Sequence, residues 1–346
     1  MNTEAHSIKA WQRFFDSRVR GNKDLVHGYI RYVRRLEERG LPPIFELKHL
    51  SEMIGVDERT LVQIIQCSDN FYRDFSIPKR LGGTREISVP SPVLLHAQRW
   101  INDEILSKLE VHSAAHGFVR GRSIVTNASV HLGNPELLKL DLENFFPSIH
   151  FRRIMKVFLK IGYPVGVSYF LSSLCCRKKR LPQGAATSPA LSNMVSNRMD
   201  VSISRFSNDQ GLNYTRYADD LILSGEKIDR STLNKVSWII KESGFSINKK
   251  KTRILKGKCQ KIVTGVSISS GKLALPRSSV RAIKLEAYHI LHRGYYCHAE
   301  ATNNFDPILL ERLVGRVGFW LQVDPSNLTA QTLLRELTKY VARFEP

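Results

Sequence analysis

The chain has 346 residues, 42% of them hydrophobic, and its 52 Lys and Arg outnumber 32 Asp and Glu for a formal net charge of +20. That length and apolar share support two or three packed domains and exclude an intrinsically disordered chain. The charge predicts a polyanionic partner, bound with strong salt dependence.

Residues 1 to about 70 read as helical, with Trp11, Phe14, Phe15, Leu25, Tyr29, Tyr32 and Val33 marking apolar faces between basic residues. From Leu47 to Leu61 the pattern suggests two short helices, with Gly55 in the turn and Asp57 capping the second. The second helix carries few side chains suited to reading bases, so a packing unit is the better reading than sequence-specific DNA binding.

Residues 71 to about 135 open on a hairpin signal, Gly82-Gly83, surrounded by Lys79, Arg80 and Arg85. Such cations suit a triphosphate, Arg by bidentate hydrogen bonds and Lys as a point charge. Gln98 to Ile105 reads as a helix, and Ala115 to Ser123 as a Gly-rich basic loop apt for a nucleic-acid backbone. The loop lacks the P-loop lysine pattern, so ATP hydrolysis is not implied.

From about 136 to 272 the order of strand and helix signals interleaves, as in a ferredoxin-like split βαβ. Leu138, Leu140 and Leu142 alternate with Lys139, Asp141 and Glu143, which sets Asp141 on the open face of a strand. A helix near 151–160 follows. Pro182 to Pro189 is a Gly/Pro-punctuated turn leading into a helix that runs to about 207; Gly184 lets its backbone approach a ligand closely and Gln183 offers hydrogen bonds. Tyr217-Ala218-Asp219-Asp220, between strand-like runs, reads as a β-hairpin with an acidic tip. Adjacent acids repel, and their placement makes sense around a divalent cation. Hard cations take oxygen ligands and leave room for substrate phosphates. Two of them about 3.5–4 Å apart clamp the attacking and leaving oxygens of a phosphoryl transfer. Asp141 and Asp219 are the expected direct ligands, with Asp220 contributing mainly charge and the Leu142 carbonyl as a further ligand.

Arg177-Lys178-Lys179-Arg180 precedes the Gln-Gly turn, and Lys249, Lys250, Lys251, Arg253, Lys256, Lys258 and Lys261 follow the hairpin. Both basic runs flank the acids, where a nucleic-acid backbone would lie. Beyond Pro276 a helix begins, with Ser278 or Ser279 as cap, Val280, Ile283, Ala287, Ile290 and Leu291 on one face, Arg281 and Lys284 on the other, and Gly294 at its end. Residues 307–345 add amphipathic helix. The five cysteines, Cys67, Cys175, Cys176, Cys259 and Cys297, have no metal-ligand spacing and read as reduced thiols. No run of eighteen apolar residues and no secretory leader pattern is present, so the expectation is a cytoplasmic protein with no membrane partner.

The chain resembles the reverse transcriptases. Leu140-Asp141-Leu142-Glu143-Asn144-Phe145-Phe146 is similar to the first palm motif of that family, Leu181 to Pro189 to the motif that contacts nucleotide and template, and Tyr217 to Asp220 to the catalytic hairpin. The resemblance covers about Pro78 to about residue 320. It implies an α+β right-hand polymerase with a helical extension (1–70), fingers (71–135), a ferredoxin-like palm (136–272) and a helical thumb (273–346). Asp141, Asp219 and Asp220 become the catalytic acids, holding two Mg²⁺, with Mn²⁺ as a possible substitute. Lys79 and Arg85 hold the triphosphate. Lys251, in the segment after Ser243 to Asn248 that resembles the next palm motif, is a general acid near pyrophosphate. Phe146 stands where the family places a bulky residue under the sugar; its ring would clash with a 2′-OH, leaving Phe145 to pack. The basic face of the thumb, Arg281 and Lys284, faces the duplex.

Two short signatures narrow the resemblance to bacterial retron-type enzymes: Asn127-Ala128-Ser129-Val130-His131 and Val263-Thr264-Gly265. In that family the enzyme recognises its own structured noncoding RNA, in part through Val263-Thr264-Gly265, and starts DNA synthesis from a 2′-OH of that RNA. The branched RNA–DNA product (msDNA) serves anti-phage defence, usually with a separate effector protein. The implied partners are the noncoding RNA, its msDNA, dNTPs and that effector, with Asn127 and His131 as further RNA contacts. A group II intron-like or CRISPR-associated reverse transcriptase is the alternative within the family. A catalytically idle RNA-binding protein is the alternative outside it, against which the intact acids argue.

Overall fold

The computed structural model describes residues 2–19, 22–78, 82–257 and 259–342. Four helices come first: α1 (Asn2–Arg18), α2 (Lys23–Glu37), α3 (Leu47–Ile54) and α4 (Glu58–Gln66). The α3–α4 turn forms as its residues dictate. Gly55 ends α3 in the left-handed region at φ +75°, and the Asp57 carboxylate accepts the Thr60 N–H at 2.9 Å. Strands β1 (Tyr72–Pro78) and β2 (Thr84–Pro90) form an antiparallel hairpin, followed by α5 (Pro92–Glu104). The six-residue α6 (Ile124–Ser129) is held by a reciprocal cap between Ser123 and Thr126. Then come β3 (Glu136–Asp141), α7 (Phe145–Ser148), α8 (Phe151–Ile161), α9 (Val165–Cys175) and α10 (Ser188–Asp209). The hairpin β4 (Asn213–Tyr217) and β5 (Asp220–Gly225) leads to α11 (Arg230–Glu242), β6 (Arg253–Leu255), β7 (Ile262–Val263) and β8 (Val266–Ser267). The chain closes with α12 (Arg277–Arg293), α13 (Tyr295–Thr302), α14 (Leu309–Val323) and α15 (Leu328–Val341).

Two compact units are interleaved along the chain. One comprises Met1–Ser113, Glu143–Val201 and Glu242–Ser246; the other comprises Ala114–Leu142, Ser202–Lys241 and Ile247–Pro346. In the first, aromatic packing among Trp11, Phe15, Tyr29 and Phe45 joins α1 to α2. The C-terminus of α2 is fastened to that of α8, where Arg35 and Arg39 donate to the carbonyls of Gly162 and Ile161 at 2.6 and 3.0 Å. Guanidinium groups there satisfy orphan carbonyls at the negative end of the helix dipole. Gln98, fully buried on α5, donates to the Tyr72 hydroxyl and the Leu174 carbonyl and accepts from the Ala186 N–H, so one amide joins β1, α9 and the Gln-Gly turn.

The second unit contains the central sheet. Its strand order is β4-β5-β3-β6, antiparallel throughout, with helices separating β3 from β4 and β5 from β6. This is the expected ferredoxin-like order. One apolar cluster runs from Leu137 and Ile222 in the sheet through Val263 and Val266 to Ile283, Leu313, Trp320 and Leu337 in the C-terminal helices. Helix α12 starts at Arg277 after Pro276, with no side-chain cap, so Ser278 and Ser279 lie inside its first turn instead of capping it; Gly294 ends it as expected. Among the described residues, no helix is long and apolar enough to cross a membrane.

His131 ties the back of the β4–β5 hairpin together. Its ring is fully buried, with Nδ1 2.7 Å from the Ser224 hydroxyl and Nε2 2.7 Å from the Thr215 hydroxyl. Burial pushes its pKa down to about 3, so the ring is neutral in the fold. The unfolded chain takes up that proton near pH 6.5, so this contribution to stability is complete above that pH. It falls by about 1.4 kcal/mol per unit as the pH drops below it, until the folded ring titrates. Denaturant titrations from pH 7 to 4 are expected to show His131→Gln losing less stability on acidification than the unsubstituted chain. At pH 7, His131→Ala, which strands two buried hydroxyls, is expected to cost about 2–4 kcal/mol.

Candidate active site

The register of the sheet brings the acids together. Asp141, the last residue of β3, lies directly across from Asp220, the first of β5, and Asp220 also pairs with Tyr217 of β4. Residues directly opposite in an antiparallel pair project to the same face, with Cβ atoms about 4.5–5.5 Å apart. Ala218 and Asp219 make the connection between β4 and β5, with Ala218 in the left-handed region at φ +56°. The Leu142 N–H donates to the Asp219 carbonyl at 2.9 Å, and the Asn248 N–H to the Asp141 carbonyl at 2.8 Å. Main-chain bonds therefore fix both carboxylate-bearing segments against their mutual repulsion.

The electrostatics show what the site lacks. Burial raises the Asp220 pKa to about 6, helped by the charges of Asp219 and Asp141 and opposed by Lys139 and Lys251. The Lys251 ammonium is 2.8 Å from Asp141 Oδ2, and that hydrogen bond holds its pKa above the usual range. Lys251 also feels the charges of Asp219 and Asp220, so of Lys249, Lys250 and Lys251 it is the one whose partner is a catalytic-motif acid. Carboxylates brought this close together fit a hard divalent cation, which takes oxygen ligands. Among the described residues, no group of three or more His, Cys, Asp or Glu side chains is arranged to close on a metal by itself.

Residues outside the expected catalytic set support this hairpin. The Ala114–His116 segment pairs with β4, His116 N–H donating to the Arg216 carbonyl and Arg216 N–H to the Ala114 carbonyl, both at 2.7 Å. A Cβ on Gly117 would come within 2.6 Å of the Ala218 nitrogen, so only glycine lets this segment lie against the turn. Arg216 is fully buried, and its Nη1 donates to the Ala218 carbonyl at 3.2 Å. The sequence showed a Gly-rich basic loop here; that its first residues bridge to β4 is a tertiary fact that no local pattern reports.

The other expected residues divide. Phe145 is buried against Phe245, ring centroids 5.6 Å apart, while Phe146 is half-buried. Arg85 is exposed on β2; Lys79 lies outside the described residues. Gln183 is half-buried and its carbonyl accepts the Ser88 N–H at 2.8 Å. Gly184, at φ +122°, is required within the protein itself: a Cβ there would meet the Ser88 carbonyl at 2.7 Å, so its backbone lies close against β2. Arg281 and Lys284 are exposed on α12, with Lys284 Nζ 6.0 Å from the Trp320 ring centroid. Two basic residues are corrected. Arg177 is bound to Asp69 and Asp74, and Lys261 is buried with its ammonium on the Gly257 carbonyl, so neither presents its charge to a backbone as expected.

The two short signatures meet in the structure. Asn127 Nδ2 donates to Thr264 Oγ1 at 3.2 Å, joining α6 to the turn between β7 and β8. Thr264 and Gly265 both have positive φ, +44° and +90°, as in a two-residue hairpin turn. Asn127, His131 and Val263 are fully buried, which corrects the expectation that they touch RNA: their side chains are enclosed by protein. Of the signature residues expected to touch RNA, Thr264 is half-buried and Gly265 exposed.

Comparison with known proteins agrees with this geometry. Residues 77–272 match the family Reverse transcriptase (RNA-dependent DNA polymerase). Retron Ec86 reverse transcriptase of Escherichia coli is 33% identical over 315 residues, 90% of this chain and 93% of that protein. Retron Mx162 reverse transcriptase of Myxococcus xanthus is 34% identical over 303 residues, 78% of this chain and 60% of that protein. Among solved structures, telomerase from Candida albicans aligns with a TM-score of 0.43 at 12% identity, over 79% of this chain and 63% of that one. The acids at the strand–hairpin junction, the family match over residues 77–272 and the two retron relatives lead to one assignment: the chain belongs to the reverse transcriptase family, as a retron-type RNA-directed DNA polymerase.

Proposed function

We propose that the enzyme copies its own structured noncoding RNA from a 2′-OH of that RNA, giving a branched RNA–DNA that serves anti-phage defence with a separate effector. The observation that carries the catalytic part is the convergence of Asp141, Asp219 and Asp220 around the Lys251 ammonium. Residues 71–135, 136–272 and 273–346 act as fingers, palm and thumb. Asp141, Asp219 and Asp220, with the Leu142 carbonyl, would hold two divalent ions, Mg²⁺ with Mn²⁺ as substitute, which when bound neutralise the triphosphate and stabilise charge at the reacting phosphorus.

The primer hydroxyl attacks the α-phosphorus of a dNTP in line, and pyrophosphate leaves. The chain's own work is positioning. Arg85 and Lys79 hold the triphosphate, Gln183 and Gly184 border the nucleotide, and the Phe146 ring excludes a 2′-OH. Lys251 moves from Asp141 to the leaving pyrophosphate and protonates it. The Thr264-Gly265 turn meets RNA directly, and Asn127, His131 and Val263 support it from within.

Nucleic acid extracted from protein purified with its native locus is expected to be a short single-stranded DNA joined to RNA. Asp219→Asn should abolish the DNA, lowering synthesis by about 10³-fold or more while leaving RNA bound. RNA alone, with full activity on an added primer, would move the enzyme to another lineage; RNA alone with no activity would make it a binding protein. Phe146→Ala is expected to raise ribonucleotide use relative to deoxynucleotide by about 10–100-fold in single-nucleotide incorporation; unchanged discrimination would remove the gate assignment. Lys251→Met frees Asp141, so its Mg²⁺ titration should reach half-maximal activity at several-fold lower concentration, with a lower maximal rate.

A further inference from the structure

Behind α8 lies an open cavity of about 790 Å³ whose lining belongs wholly to the unit without the catalytic acids. Six cations from four chain segments line it: Arg39 after α2, Lys108 after α5, Arg153, Lys156 and Lys160 on α8, and Arg198 on α10. Only Glu110 and Glu242 oppose them. None of these residues belongs to a catalytic motif or to either short signature.

We infer that this groove is a second nucleic-acid site that takes the phosphodiester backbone of the folded part of the enzyme's RNA, an inference that rests on the RNA partner proposed above. Spacing is the first argument. Arg153, Lys156 and Lys160 fall on one helical face, and the seven steps of rise from first to last cover about 10 Å of axis. One strand carries a phosphate for about every 3.4 Å of duplex axis, so the row spans roughly three of them. Preorganisation is the second. Arg153 donates to the Ser243 and Gly244 carbonyls at 2.9 and 3.2 Å and lies 4.3 Å over the Phe245 ring, while Arg39 is held on the Ile161 carbonyl. These guanidinium groups keep their charge in a fixed place, and the exposed Lys156 and Lys160 add mobile charge at the mouth. The third argument is what the groove lacks. Its apolar lining, such as Val157, Ile161 and Met199, is buried or half-buried, and none of the large exposed hydrophobic residues lines it. A protein partner would be expected to seat an apolar anchor there; a polyanion needs none.

The test uses the full chain and a refolded transcript of the RNA that co-purifies with it, without dNTPs. Affinity is measured from 50 to 400 mM salt for the unsubstituted chain, for Lys156→Gln/Lys160→Gln/Arg198→Gln, and for a control with equal charge loss, Lys227→Gln/Arg230→Gln/Lys235→Gln. The groove variant is expected to bind about 10–100-fold more weakly at 150 mM than the control, with a salt slope lower by about 2–3. RNA should also protect Lys156 and Lys160 from acetylation in the unsubstituted chain, a readout that needs no variant. A groove variant that matches the control, or lysines equally acetylated with and without RNA, would overturn the inference and leave an acidic protein surface as the occupant. Protein that retains no RNA at all would instead overturn the RNA-partner reading on which the inference rests.

Discussion

Like charges held side by side set the terms for the rest of this molecule. Two carboxylates about 5 Å apart repel by about 3 kcal/mol at an effective dielectric of 20, and here a third follows within one turn. No side-chain packing could hold such a cluster in place, but a hydrogen-bonded sheet can. The β3–β5 register fixes Asp141 against Asp220, the Leu142 N–H fixes the Asp219 carbonyl, and the Ala114–His116 segment bridges to β4. The hairpin must also turn through a left-handed alanine, which costs about 1–2 kcal/mol for a residue with a Cβ. Arg216 takes the Ala218 carbonyl and Gly117 leaves room for the turn, so the strain is met by neighbours that touch no substrate.

Burial is the main cause of the raised pKa of Asp220, and the charges of Asp219 and Asp141 add to it. Lys139 and Lys251 are the cations that oppose the rise, and Lys251 is more than half exposed along its side chain, with its ammonium on Asp141. A cation so placed can be displaced. Main-chain bonds thus keep the acids close to one another despite their repulsion. Stability has been given up where chemistry needs negative charge.

The acids, their strand and their hairpin could be read from the sequence because each signal is local: period-two alternation at 138–143, a turn between β-formers at 213–223, and glycines where φ is positive. The same holds for Gly55, Asp57 and the buried face of α12. Neutralisation and burial could not be read, because they depend on partners distant in sequence. Arg177 looks like one more cation in a basic run, and only Asp69 and Asp74, about a hundred residues away, make it structural. Gly184 looks like a ligand-approach glycine, and only the path of β2 shows that it makes room for Ser88. His131 looks like a polar residue of a short signature, and only the pairing of β4 with β5 supplies the two hydroxyls that explain it.

The meeting of Asn127 and Thr264 carries this argument to the two signatures themselves. A two-residue turn with both φ angles positive favours Asn-Gly, and a β-branched residue in its first position is costly. Thr264 sits there nonetheless, with its hydroxyl between the Asn127 amide and the Ile124 carbonyl. An asparagine in the turn could form its own local bonds, but it would not need α6. Threonine makes the turn depend on a helix that precedes β3, and the turn after that helix carries His131, which clasps the strands of the catalytic hairpin. The signatures are therefore one device in three dimensions: an exposed turn, a helix that holds it, and a histidine that joins the helix to the sheet bearing the acids.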